Sequence, residues 1–114
     1  MSMYVIIQHL FFYEVIQNQQ DQLLCMMLIQ QHQQIAMMGL GKMKNPGTDK
    51  IDRDLPSAKY AIDTLKMLEK YTKGNIPQEL KGFLDQTLTT LRLNYADESK
   101  KGDNTDSETE ESED

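Results

Sequence analysis

The sequence predicts an all-α fold: a small helical hairpin with one further helix before it, completed by oligomerisation. Three observations lead there. Apolar residues recur at three- and four-residue steps in three segments, the signature of one-sided helices. Between them stand Asn45-Pro46-Gly47, Gly74 and Pro77, residues that stop or turn helices. No run alternates polar and apolar with the period of a strand, residues 4–16 alone being ambiguous.

The first helix is expected after the polar stretch 17–22 (QNQQDQ), which reads as a break. Leu24, Met27, Leu28, Ile35 and Met38, with Gln31 among them, fall on one face. Leu23, Met26, Met37 and Leu40 lie outside that stripe, an over-wide and methionine-rich apolar surface suited to another helix. Gly39 and Gly41 stand where a helix end needs positive φ. Residues 42–53 form a linker with a turn at Asn45-Pro46-Gly47, since proline fixes φ and glycine permits the reversal.

Asp54 is placed to cap the second helix, with Pro56 in its first turn, where a missing N–H costs nothing. Its stripe is Ala58, Ala61, Ile62, Leu65, Leu68 and Thr72, and Gly74 ends it. Pro77 opens the third helix, whose face is Leu80, Phe83, Leu84, Thr87, Leu88, Leu91 and Tyr95. The short connection makes the second and third helices an antiparallel hairpin.

The chain divides into an apolar segment 1–17, a helical domain 18–95 and an acidic tail 96–114. The tail holds nine acidic residues against two lysines, and too little apolar surface to offset the entropy of ordering, so it is expected to be disordered. A solubilising brush is the plain reading of it; a lure for basic partners is the sharper one. Segment 1–17 reads as an extra apolar helix or strand, as an interfacial anchor, or as an upstream extension not made in the cell. It lacks a basic flank and a cleavage site, and about 13 apolar residues cannot cross a bilayer that takes about 20.

Candidate chemistry is sparse. Lone Cys25 makes no intrachain disulfide or multi-cysteine zinc site, and reads as a small buried hydrophobe. His9 and His32 have no second ligand at helical spacing. Gly39-Leu40-Gly41-Lys42 lacks the remainder of a phosphate loop. The near-neutral folding part offers no basic stripe for nucleic acid. No catalytic constellation, cofactor site or metal site is expected.

Leu40-Gly41-Lys42-Met43-Lys44-Asn45-Pro46, Ala58-Lys59-Tyr60-Ala61-Ile62-Asp63-Thr64-Leu65-Lys66-Met67-Leu68, Thr72-Lys73-Gly74-Asn75 and Leu91-Arg92-Leu93-Asn94-Tyr95 follow one another in order. Together they resemble the bacterial domain-of-unknown-function family 1844 over roughly residues 22–95. The resemblance implies a bacterial, cytoplasmic, helical protein and brings no activity, substrate or site. It singles out Asp63, Lys73, Asn75, Arg92 and Tyr95 as candidate structural or interaction residues, with Asp63 and Arg92 expected to form an ion pair across the hairpin.

The function expected is that of a non-enzymatic interaction or oligomerisation module, binding itself or another protein through apolar helix faces. The alternative is a peripheral membrane protein using residues 4–16, with membrane contact disfavoured. An enzyme would need Asp63, Lys73 and Arg92 to converge between subunits.

Overall fold

The computed structural model describes residues 2–102. Among these residues are three helices: α1 (Met3–Gly39), α2 (Leu55–Tyr71) and α3 (Gln78–Lys100). No strand forms among them; Asn45 and Lys50 make an isolated bridge in the α1–α2 linker.

Helix α1 corrects the expected break. Residues 17–22 are helical, and α1 runs unbroken for 37 residues, about 55 Å. Glutamine is a good helix former, and neither glycine nor proline interrupts α1 before Gly39, so polarity alone did not stop the backbone. Ser2 caps the start, its hydroxyl accepting from the Val5 amide.

Helices α2 and α3 match their predicted stripes. Ala58, Ala61, Ile62 and Leu65 of α2 are buried, as are Leu80, Leu84, Thr87, Leu88 and Leu91 of α3. Asp54 caps α2 through the Ser57 amide (3.3 Å) and hydroxyl (2.8 Å). The pair is antiparallel: Lys59 and Tyr95 line one cleft and Glu69 and Lys81 another nearer the turn, so rising numbers on α2 meet falling numbers on α3.

The core-facing side of α1 agrees with the predicted stripe at Ile35 and departs from it at Leu24, Met27 and Leu28. Ile29, Ala36 and Leu40 at its C-terminal end are buried, with Cys25, Met26, Ile35 and Met37 packed against the core. Leu24, Met27 and Leu28 are exposed at 54%, 53% and 40%. Residues 23–29 are apolar on every side, so spacing could not choose a face. Helix α1 runs antiparallel to α2. Gly39 lies against the start of α2, and a Cβ there would meet the Asp54 carbonyl oxygen at 2.7 Å and the Ala58 amide nitrogen at 2.8 Å. At the other end Asn18, Asp21, Gln22 and Cys25 flank the α2–α3 turn at Asn75 to Leu80. The expectation of positive φ holds at Gly41 (+78°) and fails at Gly39, which is needed for close approach instead.

The part of α1 before Asn18 therefore projects past the hairpin. The Cα radius of gyration is 19.9 Å, against about 13 Å for a compact chain of about 100 residues.

Candidate interaction surface

The five residues picked out from the sequence do not form one site. Asp63, Arg92 and Tyr95 line a shallow cleft of about 170 Å³ between α2 and α3, with Lys59, Ile62 and Lys66. Lys73 lines a second cleft near the turn with Glu69 and Lys81. Asn75 sits on the side of the turn facing α1. The three residues that an enzyme would need to converge are thus divided between two clefts within the chain.

The expected Asp63–Arg92 ion pair is absent among the described residues. One Asp63 oxygen accepts from Lys59 at 2.7 Å, and the other lies 3.9 Å from Lys66. Both lysines sit on its own helix, one turn away, where a lysine reaches a carboxylate without crossing to another helix. The Lys59 hydrogen bond holds the Asp63 carboxyl below its ordinary range. Nearer the turn, Glu69 and Asp85 face each other across the hairpin. The nearby Asp85 carboxylate pushes the Glu69 carboxyl up, while the Lys81 hydrogen bond holds Asp85 down.

The strongest polar tie was missed from the sequence. Helix α3 does not end at Tyr95: Ala96 to Lys100 are helical, and Glu98, assigned to the disordered tail, is buried. The Arg53 Nε donates to Glu98 Oε1 at 2.9 Å, and an Nη2 proton goes to the Glu98 carbonyl at 2.9 Å. The same Nη2 also donates to the Gly102 carbonyl. Lys42 and Lys101 each stand 3.2 Å from Glu98 Oε2. Burial alone would raise the Glu98 carboxyl; hydrogen bonds from Arg53, Lys101 and Lys42, with the Lys101 charge, outweigh it and hold it at about 2. A signal existed, since Leu84, Leu88, Leu91, Tyr95 and Glu98 continue one three- and four-residue rhythm. The remaining tail residues, 103–114, lie outside the described residues.

The surface without a partner is α1. Met3, Tyr4, Leu10, Phe11, Phe12 and Tyr13 are each 60–71% exposed, and beyond the polar residues 17–22 a second group, Leu23, Leu24 and Met27, is exposed at 53–59%. From Ser2 to Gly41 the chain has no lysine or arginine, and only Glu14 and Asp21 carry negative charge. Isolated exposed apolar residues are ordinary, but clusters of them such as residues 3–16 mark a contact surface. No described helix is long and apolar enough to cross a membrane. Among the described residues no group of three or more His, Cys, Asp and Glu could hold a metal ion. The His32 Nδ1 lies 3.0 Å from the Leu28 carbonyl of its own helix. Cys25 is a half-buried free thiol whose ionisation burial makes harder.

Comparison with known proteins adds one relation. The family model described as "Domain of unknown function (DUF1844)" matches residues 22–97. Its first matched residue, Gln22, lies where α1 flanks the hairpin turn, so the match takes in the three-helix body and omits the projecting part of α1. No curated protein and no solved structure matches.

Proposed function

The chain belongs to the family described as Domain of unknown function (DUF1844), and from that premise we propose that it is a helical interaction module of the cytoplasm. Its working part is α1, and its partner is another protein helix. One observation carries the reading: α1 leaves most of its large apolar side chains in water, whereas α2 and α3 expose only scattered ones such as Tyr60, Tyr71 and Leu93. Hydrophobic burial scales with the area removed from water, at roughly 25 cal/mol per Å², so covering that helix is a strong drive to associate.

The alternative is a helix lying in a membrane surface, which commonly pairs a basic polar face with an apolar one. Helix α1 has no lysine or arginine to meet lipid headgroups, and its first turns, residues 3–7, are apolar on every side, which favours protein over lipid. In this reading the module performs no catalysis.

Sedimentation of the full-length chain over a concentration series, with an apolar fluorescent dye present, tests the proposal. Association, or strong dye binding by any residual monomer, is expected. A single-chain mass at every concentration without dye binding refutes it. Partition of the full-length chain into vesicles of neutral lipid, in preference to self-association, favours the membrane instead.

A further inference from the structure

We infer that the partner of α1 is a second copy of this chain, joined along α1 as a parallel, in-register two-stranded coiled coil. This rests on the reading of α1 as a docking helix and specifies its occupant and orientation.

The seam is visible once α1 is known to be continuous. Met3, Leu10, Gln17, Leu24, Gln31 and Met38 stand seven residues apart. Ile6, Tyr13, Gln20, Met27 and Gln34 follow them by three. This is the heptad spacing of a left-handed coiled coil. At about 100° per residue, Leu24 points about 140° away from buried Ile29. The hairpin therefore lies on the far side, and the seam is clear of it. Met3, Ile6, Leu10, Tyr13, Leu24 and Met27 are 42–71% exposed. With flanking apolar residues, two copies would remove roughly 1,500 Å² from water, within the range of about 1,200–2,000 Å² for stable interfaces.

The glutamines select a copy of the same chain, in register. A primary amide carries both donor and acceptor, so Gln17 opposite Gln17 and Gln20 opposite Gln20 satisfy each other inside the seam. A slip of one heptad sets Gln17 against Leu10 or Leu24 and leaves a buried amide without a partner. Charge then selects direction. In a parallel pair, His9 of one copy flanks Glu14 of the other, a polar contact at the edge of the seam. An antiparallel pair that still matches Gln17 with Gln20 brings Glu14 beside Asp21 of the second copy, a like-charge contact.

Cysteine cross-linking of the full-length chain decides it. In a Cys25→Ala background, Gln17→Cys and Gln20→Cys should each oxidise to a covalent dimer of twice the 13.2 kDa chain mass. Gln19→Cys, off the seam, should not. If neither seam variant links to itself but a mixture of the two does, the helices are antiparallel and this inference is wrong, while the proposed function stands. A trimer or larger assembly in sedimentation also overturns the inference alone. A lone monomer without dye binding overturns both. As a second variant, Leu10→Glu with Leu24→Glu should give monomers that keep the wild-type far-ultraviolet helix signal of the hairpin, because both leucines are exposed within one chain. Persistence of the dimer in that variant would remove the seam from consideration.

Discussion

Replacing Glu98 with glutamine tests the logic of the fold most sharply. Its carboxylate draws together the α1–α2 linker, through Lys42 and Arg53, and the end of α3, through Lys101. The carboxyl is held at about 2 against an ordinary 4.5. Each unit of displacement corresponds to about 1.36 kcal/mol, so the ionised form contributes about 3 kcal/mol to folding. That is a large share of the 5–15 kcal/mol typical of a domain. Because the folded value is depressed, the contribution is fully present above the unfolded value of 4.5. It disappears as pH falls from there towards 2. Urea denaturation of wild type and Glu98→Gln, repeated from pH 7 down to pH 2, gives the readout. At pH 7 the variant should lose about 2–3 kcal/mol, since Arg53 keeps its two carbonyl partners but loses its counter-charge. The gap between the two chains should stay constant to about pH 5 and then close. Other carboxylates titrate alike in both chains and cancel in the difference. Parallel pH curves, or equal stability at pH 7, would refute the claim that this buried cluster holds the fold.

Three further outcomes follow from local geometry. Gly39→Ala should destabilise by about 2 kcal/mol or more, because its Cβ would stand under 3 Å from α2 backbone atoms. Gly82→Ala, in open space on exposed α3, should stabilise by about 0.5–1 kcal/mol. Thermal unfolding should separate the two by a clear difference in midpoint, of opposite sign relative to wild type. Asp54→Ala removes the α2 cap and should cost about 1 kcal/mol, read from the urea midpoint at unchanged slope.

What could be read from the sequence followed the contrast between faces. On α2 and α3 the apolar stripe is flanked by charges such as Lys59, Lys66, Lys81 and Arg92, so spacing alone identified Ala61, Leu65, Leu84 and Leu88 as inward. On α1 that contrast is missing. Leu24, Met27 and Leu28 have the spacing of a core stripe, yet Ile29 and Ala36 hold the inner position because the hairpin happens to approach from their side. Glu98 was hidden for another reason. Its partner Arg53 is 45 residues away, and both lie in stretches whose composition reads as linker or tail. Composition describes an average environment; a single buried carboxylate with three cations around it is an exception that only the packed structure reveals. Asp63 erred the opposite way. Its place opposite Arg92 suggested a pair across the hairpin, but two lysines on its own helix were nearer.

The want of lysine and arginine between Ser2 and Gly41 has a consequence for handling the molecule. Trypsin, which cuts after lysine and arginine, has no target in the projecting rod, and its first opportunity is Lys42 in the linker. Chymotrypsin, which cuts after large aromatic residues, meets Tyr4, Phe11, Phe12 and Tyr13 standing in solvent. Digesting the intact chain with each enzyme in turn, and weighing the fragments, therefore reports whether the rod is sheathed: tryptic products keep it whole, and chymotryptic products lose it wherever it is bare.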